Sequence, residues 1–323
     1  MDEVKQNSYD PRQSFYAPED GGIGDFSIIN AEDGWHIYYL YREFGQENNL
    51  KPLASRGSDR KIGHAFSKDL SYWRTEKPVI HVDENRKFEN LMVWAPAIIK
   101  HSDGIWYMFY TGVSEDRTQS TCVATSRDLY SWEKPLQVPA FIVNNDKWAK
   151  WSFEGNKDCR DPNIISHGKG YLIYYTSFSK ASPERYNSIP VVAAAYSEDM
   201  LNWKDYGIVT EYKVWDKESS HWWGLESPCV FKRNNLYYLF WNIYETNHLC
   251  VFYKVSKDPL KFDGEVNLFS EYFCTFEIMK LGNDYDYFAA FTREYYGVLR
   301  IFKLDWIGNI PKIHLSNPID ELE

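Results

Sequence analysis

The sequence has no long apolar run, and this absence excludes a membrane-spanning helix. No stretch reaches the roughly 18 consecutive apolar residues that such a helix needs. Residues 1–6, Met-Asp-Glu-Val-Lys-Gln, also contain none of the apolar character of an export signal. We therefore expect no membrane partner, no export signal and a location in the cytoplasm.

Cysteine is scarce, and its spacing excludes the usual cysteine-based frameworks. The five cysteines are odd in number, scattered, and form no Cys-x-x-Cys pair: Cys122, Cys159, Cys229, Cys250 and Cys274. Neither a disulfide framework nor a zinc site has this pattern. We expect reduced thiols.

Basic residues are also in deficit. The chain has 36 Lys and Arg against 46 Asp and Glu, a formal net charge of -10, and no block of five or six basic residues. Such a charge opposes binding to polyanions. Nucleic acid and anionic membranes are not expected as partners.

Aromatic residues, by contrast, are abundant. They make up 18% of the chain, with 25 Tyr, 19 Phe and 13 Trp. Aromatic side chains favour pleated, half-buried surfaces, and flat apolar rings also stack on sugars. The composition is therefore typical of a β-rich fold and compatible with a carbohydrate site, although core packing accounts for most of the rings.

A short unit recurs along the chain. Its end has the form Ser-x-Asp, followed by a turn and an aromatic residue, and the copies occupy residues 67–73, 126–132, 197–203 and, more loosely, 256–262. Each follows a strand-like run, and the Ser and Asp side chains can bond a turning backbone. Trp73, Trp132 and Trp203 in these copies are interpreted as structural.

A second pattern precedes each copy: a short run, a tight turn and an aromatic-rich strand. The turns carry hairpin residues such as Asp33-Gly34, Asp103-Gly104 and Asn234-Asn235. A fifth unit follows after residue 273. Five antiparallel units predict an all-β, five-bladed β-propeller in one domain, residues 1–323, with blades near 24–80, 93–140, 160–212, 225–265 and 273–312. Residues 1–23 are expected to help close the ring.

Acidic residues stand at the starts of three of the five predicted blades. They are Asp25, Asp161 and Glu226. The innermost strand of each blade points one end into the central channel, so we expect these acids, at one repeat phase, to converge at one mouth. A single loop aspartate is more often a turn or cap residue. Three acids in apolar settings lower the stability of a fold, so we expect such a set only where it has a function.

The blade starts resemble those of the five-bladed propeller glycosidases, glycoside hydrolase families 43 and 32. Trp94-Ala95-Pro96 resembles the Trp-Ala-Pro of family 43, Arg160-Asp161-Pro162 the Arg-Asp-Pro of family 32, and Glu226 the Glu of Glu-Cys-Pro or Glu-Gly-Pro. The resemblance spans residues 24–305. It departs at Phe26, where both families usually have Pro.

The resemblance implies a site and a reaction. Glu226 would be the general acid, Asp25 the nucleophile or general base, and Asp161 the residue that holds sugar hydroxyls and tunes the acid. One carboxylic acid and one carboxylate are what glycoside cleavage needs. The similarity to family 43 covers more features and favours inversion, with Asp25 as the base. No metal and no cofactor are expected.

Other residues beside the blade starts are candidates for substrate binding. Trp94, Trp222 and Trp223 could stack on sugars, His221 could bond a hydroxyl, and Arg160 could offset the acidic charge. The expected substrate is a small arabinoside, xyloside or fructoside oligosaccharide. Two alternatives stay open: glycosyl transfer to a sugar or to phosphate, and sugar binding without catalysis.

Overall fold

The computed structural model describes residues 15–43, 59–143, 147–149, 158–179, 189–212, 225–245, 248–292 and 297–314. Within these residues the regular structure is entirely β. The strands, in chain order, are β1 (Phe15–Tyr16), β2 (Gly21–Asn30), β3 (Trp35–Glu43), β4 (Lys61–Ser67), β5 (Arg74–His81), β6 (Met92–Lys100), β7 (Trp106–Val113), β8 (Gln119–Ser126), β9 (Arg160–His167), β10 (Gly170–Ser179), β11 (Ile189–Ser197), β12 (Lys204–Glu211), β13 (Leu225–Arg233), β14 (Leu236–Glu245), β15 (His248–Ser256), β16 (Asn267–Ser270), β17 (Phe273–Met279), β18 (Tyr287–Thr292), β19 (Leu299–Ile307) and β20 (Ile310–Ile313).

These strands form five antiparallel sheets, arranged as the five blades of a propeller. The orders are β2-β3-β4-β5, β6-β7-β8, β9-β10-β11-β12, β13-β14-β15-β16 and β17-β18-β19-β1, with β20 paired to β19. In the second blade, bridges from Thr121 to Phe141 and from Thr125 to Glu133 take the place of a fourth strand. The predicted fold class is confirmed.

The first and last segments of the ring meet in the fifth blade. Phe15 and Tyr16 pair with Arg300 and Leu299, so β1 is the outermost strand of a sheet made otherwise from residues after 273. The Ile23 amide also donates to the Gly297 carbonyl at 3.1 Å. The N-terminal segment therefore closes the ring, as the sequence predicted.

Hairpins connect the two innermost strands of each blade, and the tightest have two residues between the strands. Between β13 and β14 the two turn residues, Asn234 and Asn235, both have positive φ, at 50° and 61°. Asparagine tolerates this conformation, and such a turn matches the twist of the paired strands. Each hairpin thereby holds the innermost strand of a blade against the next strand of the same blade.

Aromatic packing between blades forms the core. Phe240 stacks on Phe276 of the next blade with ring centroids 4.4 Å apart, and Phe109 meets Trp203 edge-on at 5.3 Å. Trp203 also donates from Nε1 to the Met200 carbonyl at 3.0 Å. The aromatic excess is thus largely structural. The described residues include no helix with the length and hydropathy of a membrane span.

Candidate active site

Each innermost strand carries a bulge close to its start. The pairing register shifts by one at this point in β2, β6, β9, β13 and β17. In four of them the extra residue has a positive φ: Ala95 (45°), Asp161 (55°), Ser227 (49°) and Thr275 (52°). A bulge bends its strand and re-aims a side chain. The bulge residues of successive blades therefore lie next to one another at one end of the channel.

The register shows that the three acids do not share one repeat phase. Asp161 and Ser227 are each the first of the two bulge residues, whereas Asp25 is the second, the position that Pro162 has in the third blade. Glu226 pairs with Asn242 just before its bulge, as Arg160 pairs with Thr176. The expectation of one common phase was wrong, because the three acids occupy three successive register positions. Glu226 reaches the same mouth from one residue upstream of the Asp161 position, and Asp25 from one residue downstream.

Direct contacts nevertheless bring the three acids together. The Ser227 amide donates to Asp161 Oδ2 at 3.1 Å, and the Ser227 hydroxyl donates to Asp25 Oδ1 at 2.8 Å. Arg160 donates from Nη2 to Glu226 Oε1 at 3.2 Å, and its Nε lies 3.5 Å from Asp161 Oδ2. Residues from the first, third and fourth blades thus form one connected cluster.

Burial changes the protonation of this cluster. Asp161 is 6% exposed. Its burial raises the pKa of its carboxyl to about 8, with the charges of Asp25 and Glu226 acting in the same direction and Arg160 opposing them. The pKa of Glu226 is raised as well, chiefly by burial, against the effect of Arg160. Neighbouring carboxylates in a dry site cannot all ionise. The cluster therefore holds a proton at neutral pH.

Arg160 is held mainly by carboxylates. Its side chain is 6% exposed, and Nη1 donates to Asp158 Oδ1. With Glu226 and Asp161, this gives the guanidinium three acidic neighbours. Among the described residues, no other cationic side chain forms an ion pair with Asp25, Asp161 or Glu226. Arg160, predicted as a substrate-binding residue, thus contacts protein carboxylates.

Of the other predicted residues, Trp94 lies at the same mouth. It is half-buried and pairs with Thr111 just before the second bulge, the register position that Glu226 has in its own blade. His221, Trp222 and Trp223 lie outside the described residues.

The sequence analysis missed three residues that organise the site. Asp158, fully buried beside Arg160, was not among the predicted site residues. Ser227 and Thr275 contact Asp25 across blade boundaries. The hydroxyl residues at two blade starts were a usable signal, because they occupy the same register position as Asp161. Asp158 offered no signal beyond its place two residues before Arg160.

Another acidic residue, outside this cluster, lies farther along the channel. Glu277 follows Thr275 by two residues and lines a cavity of about 380 Å³ together with Ser27, Asn163 and Cys229. Burial, and to a lesser extent the charge of Asp25, raises the pKa of Glu277 to about 8. Within the described residues no group of three or more His, Cys, Asp or Glu side chains is arranged to hold a metal ion.

The fold and this cluster define a class, the five-bladed propellers with carboxylates at one mouth of the channel. The sequence profile of glycosyl hydrolases family 43 matches residues 20–261. Because this match covers more than half of the chain, the chain belongs to family 43 of the glycosyl hydrolases, as its blade-start motifs indicated.

The chain is also similar to part of a curated enzyme. A 1,2-β-oligomannan phosphorylase from Thermoanaerobacter is 29% identical over 176 residues, which are 53% of this chain and 48% of that protein. The match thus spans about half the length of this curated relative.

Two solved structures share the fold. A thermostable family-43 glycoside hydrolase is 17% identical with a TM-score of 0.67, covering 94% of this chain and 96% of the other. A GH32 β-fructofuranosidase from Bombyx mori is 17% identical with a TM-score of 0.69, covering 97% and 67%.

Proposed function

We propose that this chain hydrolyses glycosidic bonds of a small oligosaccharide. The observation that carries the proposal is the cluster of Asp25, Asp161 and Glu226, joined by Arg160 and Ser227 and holding a proton at neutral pH. Glycoside cleavage needs a protonated carboxyl and an ionised one close together. Membership of family 43 supports the same reaction.

The three acids have distinct proposed roles. Glu226 is the general acid that protonates the leaving oxygen. Its side chain is 27% exposed, the most open of the acids paired with Arg160, and its pKa is raised. Asp25 is the carboxylate that acts on the sugar or on water. Asp161, nearly closed off from solvent, holds substrate hydroxyls and raises the proton affinity of its neighbours.

The proposed substrate is the end of an arabinoside, xyloside or fructoside chain. The propeller supplies the reacting groups, whereas the sugar is selected by residues around the mouth. Trp94 is the described aromatic residue placed to contact a sugar ring. A panel of nitrophenyl glycosides identifies the sugar.

Phosphorolysis is the second candidate, since the matched oligomannan enzyme is named a phosphorylase. A phosphate acceptor needs several free cationic donors. Arg160 already contacts Asp158, Asp161 and Glu226, so the described cluster favours water over a dianion. A non-catalytic sugar-binding role is disfavoured because binding alone has no use for three crowded carboxyls.

Substitution of Glu226 tests the assignment. Glu226→Gln fills the same volume but cannot protonate a leaving oxygen, so we expect about a 10³-fold loss of kcat/KM on an unactivated oligosaccharide and a much smaller loss on a nitrophenyl glycoside. Steady-state rates on both substrates measure this.

The matched control is Glu265→Gln, an exposed glutamate in the fourth blade that should leave both rates unchanged. A Glu226→Gln enzyme that cleaves both substrates at the wild-type rate would show that Glu226 is not the acid. Cleavage that depends on added phosphate would favour phosphorolysis instead.

We also propose inversion of configuration, with Asp25 activating water. The similarity to family 43 supports this choice, and the profile match adds to it. Proton magnetic resonance of the first-formed anomer tests it. Net retention would instead make Asp25 a covalent nucleophile and favour a fructoside substrate.

A further inference from the structure

The first blade differs from the others at its bulge. Ala95, Asp161, Ser227 and Thr275 all adopt positive φ, but their counterpart in the first blade, Gly24, does not. Asp25 stands one position later, where the second, third and fourth blades have proline. The backbone around the first acid therefore departs from the pattern of its own ring, and side-chain contacts hold the Asp25 carboxylate.

Two hydroxyls from other blades make those contacts. Ser227 Oγ, in the fourth blade, donates to Asp25 Oδ1 at 2.8 Å, and Thr275 Oγ1, in the fifth, lies 3.4 Å from the same oxygen. Within the described residues no side chain or amide hydrogen-bonds Asp25 Oδ2. The shorter contact, from Ser227, is the stronger one, and it leaves the second carboxylate oxygen to act on substrate or water.

Ser227 is also linked to the other two acids. It follows Glu226 directly, and its amide donates to Asp161 Oδ2 at 3.1 Å. The chain there is held in the left-handed region, with φ at 49°. One residue thus fixes the spacing between Asp25 and Asp161 while it anchors the peptide that carries Glu226. Where the resembling families have Cys or Gly, this chain has a strong hydroxyl donor.

We propose that Ser227 is a positioning residue whose hydroxyl orients the Asp25 carboxylate. Thr275 is a weaker second support. This inference rests on the proposed function, in which Asp25 is the attacking carboxylate or base. Because the hydroxyl holds the carboxylate in its reacting orientation, its loss should act on kcat rather than on KM.

The test uses two substitutions with different backbone consequences. Ser227→Ala removes the hydroxyl but keeps Cβ at a positive φ, whereas Ser227→Gly removes the hydroxyl and suits that φ. Both variants retain the backbone amide that donates a hydrogen bond to Asp161. We expect both to lower kcat about tenfold, with KM within about twofold.

Variants at two other positions serve as comparisons. Glu265→Gln, at the exposed glutamate of the fourth blade, should behave as wild type, and Thr275→Val, of similar volume but without a hydroxyl, should lose about two- to threefold in kcat. If Ser227 had only a structural role, Ser227→Gly would change the unfolding midpoint and leave kcat and KM unchanged. An unchanged kcat in both Ser227 variants would overturn the proposal.

Crystal structures of the same variants give a readout that does not need activity. We expect the Asp25 side chain to rotate away from its wild-type orientation in Ser227→Gly, and an unchanged orientation would overturn the proposal. Failure of the proposed function gives a different result. The wild-type chain would then cleave no glycoside, or the Glu226→Gln variant would cleave both glycoside substrates at the wild-type rate, and neither outcome depends on Ser227.

Discussion

Aspartates occupy two kinds of repeated site in this propeller, and they behave in opposite ways. At the outer turns, Asp69, Asp128 and Asp199 lie on the surface and accept hydrogen bonds from following backbone amides. The adjacent residues Leu70, Leu129 and Met200 have positive φ, as the bulge residues do. The outer turns therefore match the inner bulges in backbone conformation and in residue type, but not in environment.

The surroundings of each aspartate decide its charge state. Hydrogen bonds from the Asn202 side chain and amide lower the pKa of Asp199, whereas burial raises the pKa of Asp161 to about 8. An exposed carboxylate surrounded by donors is stabilised as an anion; a buried one beside other acids is not. Folding thus favours the ionised form of the outer aspartate and disfavours the ionised form of the inner one.

The largest expected difference between the two sites follows from Asp161→Asn. Activity should fall by about 10²- to 10³-fold, because an asparagine amide cannot take up or release a proton and cannot accept substrate hydroxyls at both atoms. Stability should move in the opposite direction. The folded-state pKa of Asp161 lies above its unfolded value of 3.8, so the contribution of Asp161 to stability is fully present below about pH 4 and declines as the pH rises toward 8.

The asparagine variant lacks this decline. We expect it to be more stable than wild type by roughly 2 kcal/mol near pH 8 and to lose that advantage near pH 4, as measured by urea unfolding at both values. Asp158→Asn is a useful comparison, because it removes a charge beside Arg160 while Asp25, Asp161 and Glu226 stay in place. An Asp161→Asn protein less stable than wild type at pH 8 would mean that its contacts to Arg160 and Ser227 outweigh its burial.

The same contrast explains what the sequence could predict. Turns such as 67–73 are local, since Ser67 and Asp69 bond amides within three residues, and residue types alone indicate them. Five such units imply the propeller. The site depends on contacts over long separations: Ser227 bonds Asp25 across 202 residues. No local pattern gives the register at which blades meet, so the phase of Glu226 and the role of Ser227 were missed.

Long-range geometry also decides which acids are buried. Asp158 and Arg160 stand in a stretch whose composition is polar, yet both are almost fully buried because the neighbouring blade covers them. Asp25, Asp161 and Glu226 were identified by repetition and by resemblance, and the structure brings these three together. Their charge states follow from packing, which one sequence does not specify.

The smallest expected effect is at the outer turns and tests the stabilising half of the comparison. Asp199 Oδ1 accepts from the amides of Leu201 and Asn202 at 2.9 and 2.7 Å. Asp199→Ala removes both bonds, so we expect a loss of about 1 kcal/mol in the free energy of unfolding at pH 7, with kcat and KM unchanged. Because folding lowers the pKa of Asp199, its contribution is present above the unfolded pKa and disappears as the pH falls, so the loss should shrink in acid. Asp199→Asn keeps an acceptor oxygen in the same place and should lose less than the alanine variant. A loss of activity in Asp199→Ala at wild-type stability would contradict the comparison, because it would give an outer aspartate a function that its exposed position does not provide.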